Sequence, residues 1–214
     1  TAGLVEEARD LYENNPYCVF LDAFSECVFG IPSWLRGHEQ FYIDLVANQS
    51  FVRRLIERLV EFWQNMADAI LGKVGKYVHV VKVADDLGSQ TGPLLSPALY
   101  RELIKPAQKA IYDRIHSLTD ARIMLHSCGS VHDFIEDFVE IGVDCLNPVQ
   151  VSAANMESDR LKKEFGDRIV FWGGGCEPQH VLRFGTPDEV AADVKMRIEH
   201  LAPGGGFVFA PVHN

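Results

Sequence analysis

Residues 122–131 read Arg122-Ile-Met-Leu-His126-Ser-Cys128-Gly-Ser-Val131. The first five form a short apolar run flanked by a helical pattern and a Gly-containing loop. That predicts a buried strand Arg122–His126 with His126 and Cys128 at its C-terminal end. Outward from this stretch the same unit repeats. Candidate strands are Tyr17–Leu21, Tyr77–Val83, Val143–Leu146, Ile169–Trp172 and Gly206–Ala210. Most are continuous apolar runs, as parallel strands covered on both faces require. Period-3.6 stripes between them predict helices. One stripe carries Phe51, Leu55, Leu59, Phe62, Met66 and Ile70; another carries Val190, Val194, Ile198 and Leu201.

Helix boundaries are legible. Thr186 is suited to an N-cap, Pro187 to the first helical position and Glu189 to closing a capping box. Ser96-Pro97 opens a helix through Tyr100, Leu103 and Ala107 in the same manner, and Pro106 should kink or divide it. No repeat or low-complexity linker interrupts the chain, so residues 1–214 are expected to form a single domain. Strict β/α alternation gives a parallel sheet with right-handed crossovers. A doubly wound open sheet and a (β/α)8 barrel both satisfy that pattern. No GxGxxG loop follows a strand, which weakens the nucleotide-binding open sheet. Six strands fall short of a closed barrel of eight.

At 214 residues and 47% hydrophobic, the chain can bury one sizeable core. It has no apolar run long enough to span a bilayer. Its first residues show neither the basic start nor the apolar stretch of a signal peptide. A net charge of −10 repels nucleic acid and anionic membranes, which leaves a small-molecule substrate. Five cysteines without framework spacing suit a reducing compartment, so a soluble cytoplasmic protein is expected. Open sheet edges predict association into a homo-oligomer.

In an extended chain, residues two apart point to the same side, so His126 and Cys128 can present an imidazole and a thiolate to one ion. Cys176 follows the next-but-one strand at the same end. Three such ligands with an open fourth position suit a catalytic Zn2+. The ordinary reading makes His126 and Cys128 strand-end residues and Cys176 a small filler. Asp85 and Asp86 end the strand Tyr77–Val83. Adjacent residues face opposite ways, so one at most enters the rim, as proton donor, substrate anchor or metal ligand. Otherwise they cap a nearby helix. Lys82 and Arg183 are the cations close to strand ends, few for a polyanionic substrate. Cys18 and Cys145 are expected to be buried packing residues, while Cys27 has no assigned role. The glycine runs 173–175 and 204–206 allow tight turns and close backbone approach.

Several motifs, in order, resemble the uroporphyrinogen decarboxylase superfamily. They are Leu35-Arg-Gly-His-Glu-Gln-Phe, Asp86-Leu-Gly-Ser-Gln-Thr-Gly-Pro-Leu-Leu-Ser-Pro, His126-Ser-Cys-Gly-Ser-Val, Phe171-Trp-Gly-Gly-Gly-Cys-Glu-Pro-Gln, Phe184-Gly-Thr-Pro-Asp-Glu-Val and Pro203-Gly-Gly-Gly-Phe-Val-Phe-Ala-Pro-Val-His-Asn. The resemblance implies an incomplete (β/α)8 TIM-barrel-type fold, with this chain supplying strands three to eight. One branch of the superfamily decarboxylates uroporphyrinogen in porphyrin biosynthesis without metal. The other comprises zinc-dependent methyltransferases that work with a corrinoid protein, and His126, Cys128 and Cys176 resemble its ligands. The third ligand is displaced from the family position near the last strand, where Gly204-Gly-Gly-Phe stands here, and Glu177 or water is expected as the fourth. By resemblance, Ser89 and His213 match substrate-contacting positions of the decarboxylases, and Glu26 lies in a substrate-facing loop. Gln150 (in Asn147-Pro-Val-Gln150), Glu177 and Arg183 are further candidate substrate contacts. Methyl transfer with a zinc ion and a corrinoid partner is the leading expectation. Decarboxylation or an inactive truncated scaffold are the alternatives.

Overall fold

The computed structural model describes residues 2–212. All six expected strands are present and form one sheet in the order β1-β2-β3-β4-β5-β6: Phe20–Phe24 (β1), Val80–Ala84 (β2), Arg122–His126 (β3), Cys145–Asn147 (β4), Val170–Trp172 (β5) and Phe207–Val208 (β6). The pairs β1/β2, β4/β5 and β5/β6 run parallel. A doubly wound sheet reverses its strand order at a switch point, whereas this order follows the chain, as in a (β/α)8 barrel. With six strands the barrel is not closed, and β1 and β6 stand at the two ends of the order. No helix among the described residues is long and apolar enough to cross a membrane.

The chain divides into two compact units, with the division falling inside β3. The first comprises the chain through Asp85 together with Ala98–Met124. It holds the helices Ala2–Asn14 (α1), Gly30–Arg36 (α2), His38–Ala47 (α3) and Gln49–Val74 (α4). The helical path that enters at Pro97–Leu99 (α5) continues through a π-helical turn at Tyr100–Ile104 into Lys105–His116 (α6). Pro106 explains that turn. It has no N–H to donate and its ring crowds the carbonyl four residues back, so the path widens instead of breaking.

Two local expectations shift in this unit. β1 and β2 both start three residues late. Gly75–Tyr77 forms a 3₁₀ turn instead of strand, closed by Val78 N–H donating to Gly75 O at 3.4 Å. The buried face of α4 is Val52, Ile56, Trp63, Ala67, Leu71 and Val74, one residue round from the expected stripe, and Phe62 is exposed. Both sets repeat at helical spacing. The indole of Trp63 picks the face, donating to Cys27 O at 2.9 Å in the core. Each large side chain that α4 buries contributes roughly 1.5–3 kcal/mol.

The second unit comprises Asp86–Pro97 and the chain from Leu125 onward. Its helices are Ile135–Glu140 (α7), Ser158–Phe165 (α8), Val181–Phe184 (α9) and Pro187–Leu201 (α10). The capping box at α10 forms as expected: Thr186 Oγ1 accepts from Glu189 N–H, and the Glu189 carboxylate accepts from Thr186 N–H. Of the expected α10 stripe, Leu201 is buried and Val190 and Val194 are half-buried, whereas Ile198 is exposed and Asp193 is buried in addition. Asp193 tolerates burial because it accepts from Glu177 N–H at 2.7 Å and pairs with Arg197 at 3.0 Å.

Candidate metal centre

The site is built in the second unit, where two loops meet backbone to backbone. A Cβ on Gly129 would lie 2.4 Å from Gly88 C, and one on Gly88 would lie 2.6 Å from Ser130 N. Gly129 also sits at φ +83°, a conformation other residues rarely adopt. Glycine is therefore required on both sides. The loops are stitched by Leu87 N–H donating to Ser127 Oγ at 3.1 Å and Ser130 N–H donating to Ser89 O at 2.8 Å.

That approach brings Asp86 to the end of β3. Asp86, His126 and Cys128 each offer a ligand atom within 4.8 Å of the other two, and all three are half-buried. Cys128 N–H donates to Asp86 Oδ1 at 2.8 Å, which holds the carboxylate against the loop. Cys128 Sγ lies 3.5 Å from His126 Nε2. The other ring nitrogen, Nδ1, lies 2.7 Å from Asn147 Oδ1. A tetrahedral ion with Zn–S of about 2.3 Å and Zn–N of about 2.0–2.1 Å separates its sulfur and nitrogen donors by about 3.6 Å. The observed spacing fits that edge without rearrangement. One thiolate, one carboxylate and one neutral imidazole also form the mixed donor set that a divalent, borderline-soft ion favours.

Cys176 is not in this group. Among the described residues, the cluster able to hold a metal consists of Asp86, His126 and Cys128, so Asp86 takes the third position expected of Cys176. The Cys176 thiol is buried beside Asp193 instead. Burial, and then hydrogen bonding to Asp193, push it above the usual thiol range. Sequence separation could not show this, because residues at the same end of two strands still differ in which wall they face.

Of the aspartate pair, Asp86 faces the cluster and Asp85 does not. Asp85 belongs to the first unit and is fully buried. It accepts from the N–H groups of Val28, Phe29 and Gly30 at 2.9–3.2 Å and from Gln108 Nε2 at 3.0 Å. Desolvation outweighs those donors and holds its carboxyl above the ordinary range. Cys27 is fully buried nearby, and burial together with the Asp85 charge raises its thiol well above normal.

The remaining candidates scatter. Ser89 Oγ donates to Gly92 O at 2.8 Å and accepts from Gly92 N–H at 3.2 Å, closing its own turn. Gln150 is buried and accepts from Gly129 N–H at 2.7 Å, so it braces the glycine loop behind Cys128. Glu177 accepts from the N–H groups of Gln179, His180 and Val181 at 2.8–3.0 Å. Burial raises its carboxyl, but these donors more than offset that and leave it below the usual value. It acts as a cap for α9. Arg183 is exposed and stacks over Phe184, 4.8 Å from the ring centre. Lys82 is paired with Asp22 at 2.8 Å. Glu26, in the first unit, is half-buried at φ +53°, and its carbonyl accepts from Ile31 N–H at 3.0 Å. Cys18 is exposed, contrary to expectation, while Cys145 is buried. His213 lies outside the described residues. The residue whose role the sequence does not reveal is Asn147, whose amide meets His126 and Trp172 only in the folded chain.

Residues 5–214 match the family model described as Uroporphyrinogen decarboxylase (URO-D). Methionine synthases of Saccharolobus islandicus, strains L.S.2.15 / Lassen #1 and M.14.25 / Kamchatka #1, are each 24% identical over 147 residues, covering 67% of this chain and 43% of theirs. The chain thus spans less than half the length of these curated relatives. A solved methyltransferase from Methanosarcina mazei superposes with a TM-score of 0.71 at 20% identity, over 97% of this chain and 57% of that one, which is a likeness of fold.

Proposed function

Since the chain belongs to the uroporphyrinogen decarboxylase (URO-D) family, we propose that it carries the metal-holding part of a methyltransferase that moves a methyl group between a small thiol and a corrinoid protein. The observation that carries this reading is the cluster of Asp86, His126 and Cys128, with sulfur and imidazole nitrogen 3.5 Å apart. The similarity to methionine synthases supports the same direction.

His126, Cys128 and Asp86 are the residues that would hold Zn2+. When bound, such an ion lowers the pKa of a thiol and supplies a sulfur nucleophile at neutral pH. The protein's contribution is charge and placement. The Cys128 thiolate and the Asp86 carboxylate would balance the two positive charges, so a substrate sulfur arriving as fourth ligand would meet a neutral site rather than an anionic one. Cys128 N–H fixes one Asp86 oxygen. The Gly88/Gly129 contact fixes Cys128 relative to Asp86. Three protein ligands would leave one position open for substrate, as catalytic zinc sites do.

The test is metal content. Protein purified and reconstituted with zinc is expected to hold one ion per chain, lost in His126→Ala and Cys128→Ser and retained in Cys176→Ser. Zinc binding that survives Cys128→Ser, or depends on Cys176, would overturn the assignment. Loss of the methylcobalamin visible spectrum on adding a thiol then checks the reaction. Release of carbon dioxide from a porphyrinogen without metal would favour the decarboxylase branch instead.

A further inference from the structure

Asn147, at the end of β4, has every polar group of its amide committed. Nδ2 donates to Trp172 O at 3.0 Å, and Oδ1 lies 2.7 Å from His126 Nδ1. Its backbone carbonyl accepts from Ser127 N–H at 2.7 Å, which ties it to the residue after His126. The direction of the amide follows from Trp172. A peptide carbonyl can only accept, so the amide atom facing it must be the NH2 nitrogen. The atom facing His126 is then the amide oxygen, which also only accepts. Nδ1 must therefore carry a hydrogen, and in the neutral ring the lone pair is then left on Nε2, the nitrogen 3.5 Å from Cys128 Sγ.

We propose that Asn147 is a positioning residue that selects the Nδ1–H tautomer of His126 and so keeps Nε2 open to the metal. The inference rests on the metal reading of Asp86, His126 and Cys128. In the other tautomer the lone pairs of Nδ1 and Asn147 Oδ1 would oppose each other at 2.7 Å, while a hydrogen on Nε2 would block the ion. Partners behind a ligating histidine orient the ring in this manner, and their loss costs about 10–100-fold in metal affinity. Trp172 acts one step further out, since its carbonyl decides which end of the amide His126 meets.

Two variants separate tautomer control from simple packing. Asn147→Leu removes the acceptor, whereas Asn147→Asp keeps an oxygen opposite Nδ1 and loses the donor to Trp172. Zinc affinity is read by competition with a chromophoric chelator, and the His126 tautomer by ring ¹⁵N shifts in the metal-free protein. Asn147→Leu is expected to lower zinc affinity about 10–100-fold and to shift the ring toward Nε2–H. Asn147→Asp should stay near the wild type in both readouts. Asn147→Leu with unchanged ring shifts, or Asn147→Asp falling as far as Asn147→Leu, overturns the assignment. Should Asn147→Leu fail to fold, the wild-type spectrum still decides, because an Nε2–H ring there contradicts the proposal. A wild type that binds no zinc overturns the metal reading and this role with it. Wild-type zinc binding beside an unaltered tautomer in Asn147→Leu overturns only the role of Asn147.

Discussion

Asp85 and Asp86 are consecutive, yet their surroundings divide them. In the first unit, Asp85 is sealed from solvent with both oxygens engaged by the backbone of residues 28–30 and by Gln108. In the second, Asp86 is half-buried, gives Oδ1 to one backbone N–H, and turns a ligand atom toward His126 and Cys128. The contrast teaches that a carboxylate's role follows from how many of its lone pairs the fold has already claimed. Asp85 organises the loop after β1; Asp86 has capacity left for an ion.

The largest effect that could break this contrast is Asp85→Ala. It leaves the buried N–H groups of Phe29 and Gly30 without their acceptor and should cost about 3–5 kcal/mol, read by urea unfolding. A loss below about 1 kcal/mol, the net value of an ordinary hydrogen bond, would show that Asp85 is not structural. Asp86→Asn should do the reverse. Its amide oxygen can still accept from Cys128 N–H, so stability should hold to within about 1 kcal/mol. Zinc affinity should fall by more than about a hundredfold, exceeding the usual effect of an outer partner. Gly129→Ala tests the loop contact behind Asp86. Strain at φ +83° and the clash with Gly88 should cost about 1–3 kcal/mol and weaken zinc binding with it.

The smallest effect concerns acid. Backbone and side-chain hydrogen bonds from Thr186 hold the Glu189 carboxyl below its ordinary 4.5. A lowered folded-state value gives stability present above that pH and lost as pH falls through the folded value. The stability gap between wild type and Glu189→Gln should therefore narrow on acidification below 4.5, whereas the penalty for Asp85→Ala should persist at neutral pH. Parallel unfolding curves at neutral and acidic pH check both.

Much of this arrangement was legible beforehand because it rests on local chemistry. β3 matched its expected bounds, and the capping box at Thr186 formed as read, since a cap involves residues three apart. The pairing of His126 with Cys128 was equally readable, because an i, i+2 relation in extended chain fixes which side both face. The third member of the cluster was only narrowed to Cys176 or one of Asp85 and Asp86. Asp86 over the other two depended on Gly88 and Gly129 touching, a contact between segments about forty residues apart.

The sequence by itself determined that β and α elements alternate, where helices are capped, and that an imidazole and a thiol share one strand end. Those follow from periodicity, backbone preference and spacing within a few residues. Only the tertiary structure decided which stripe of α4 turns inward, which aspartate is sealed in, and that Asn147 stands behind His126. Each of these compares two locally equivalent choices, and local energies do not separate them. The deciding terms are burial and hydrogen bonds to distant chain, such as Trp63 to Cys27 and Asn147 to Trp172.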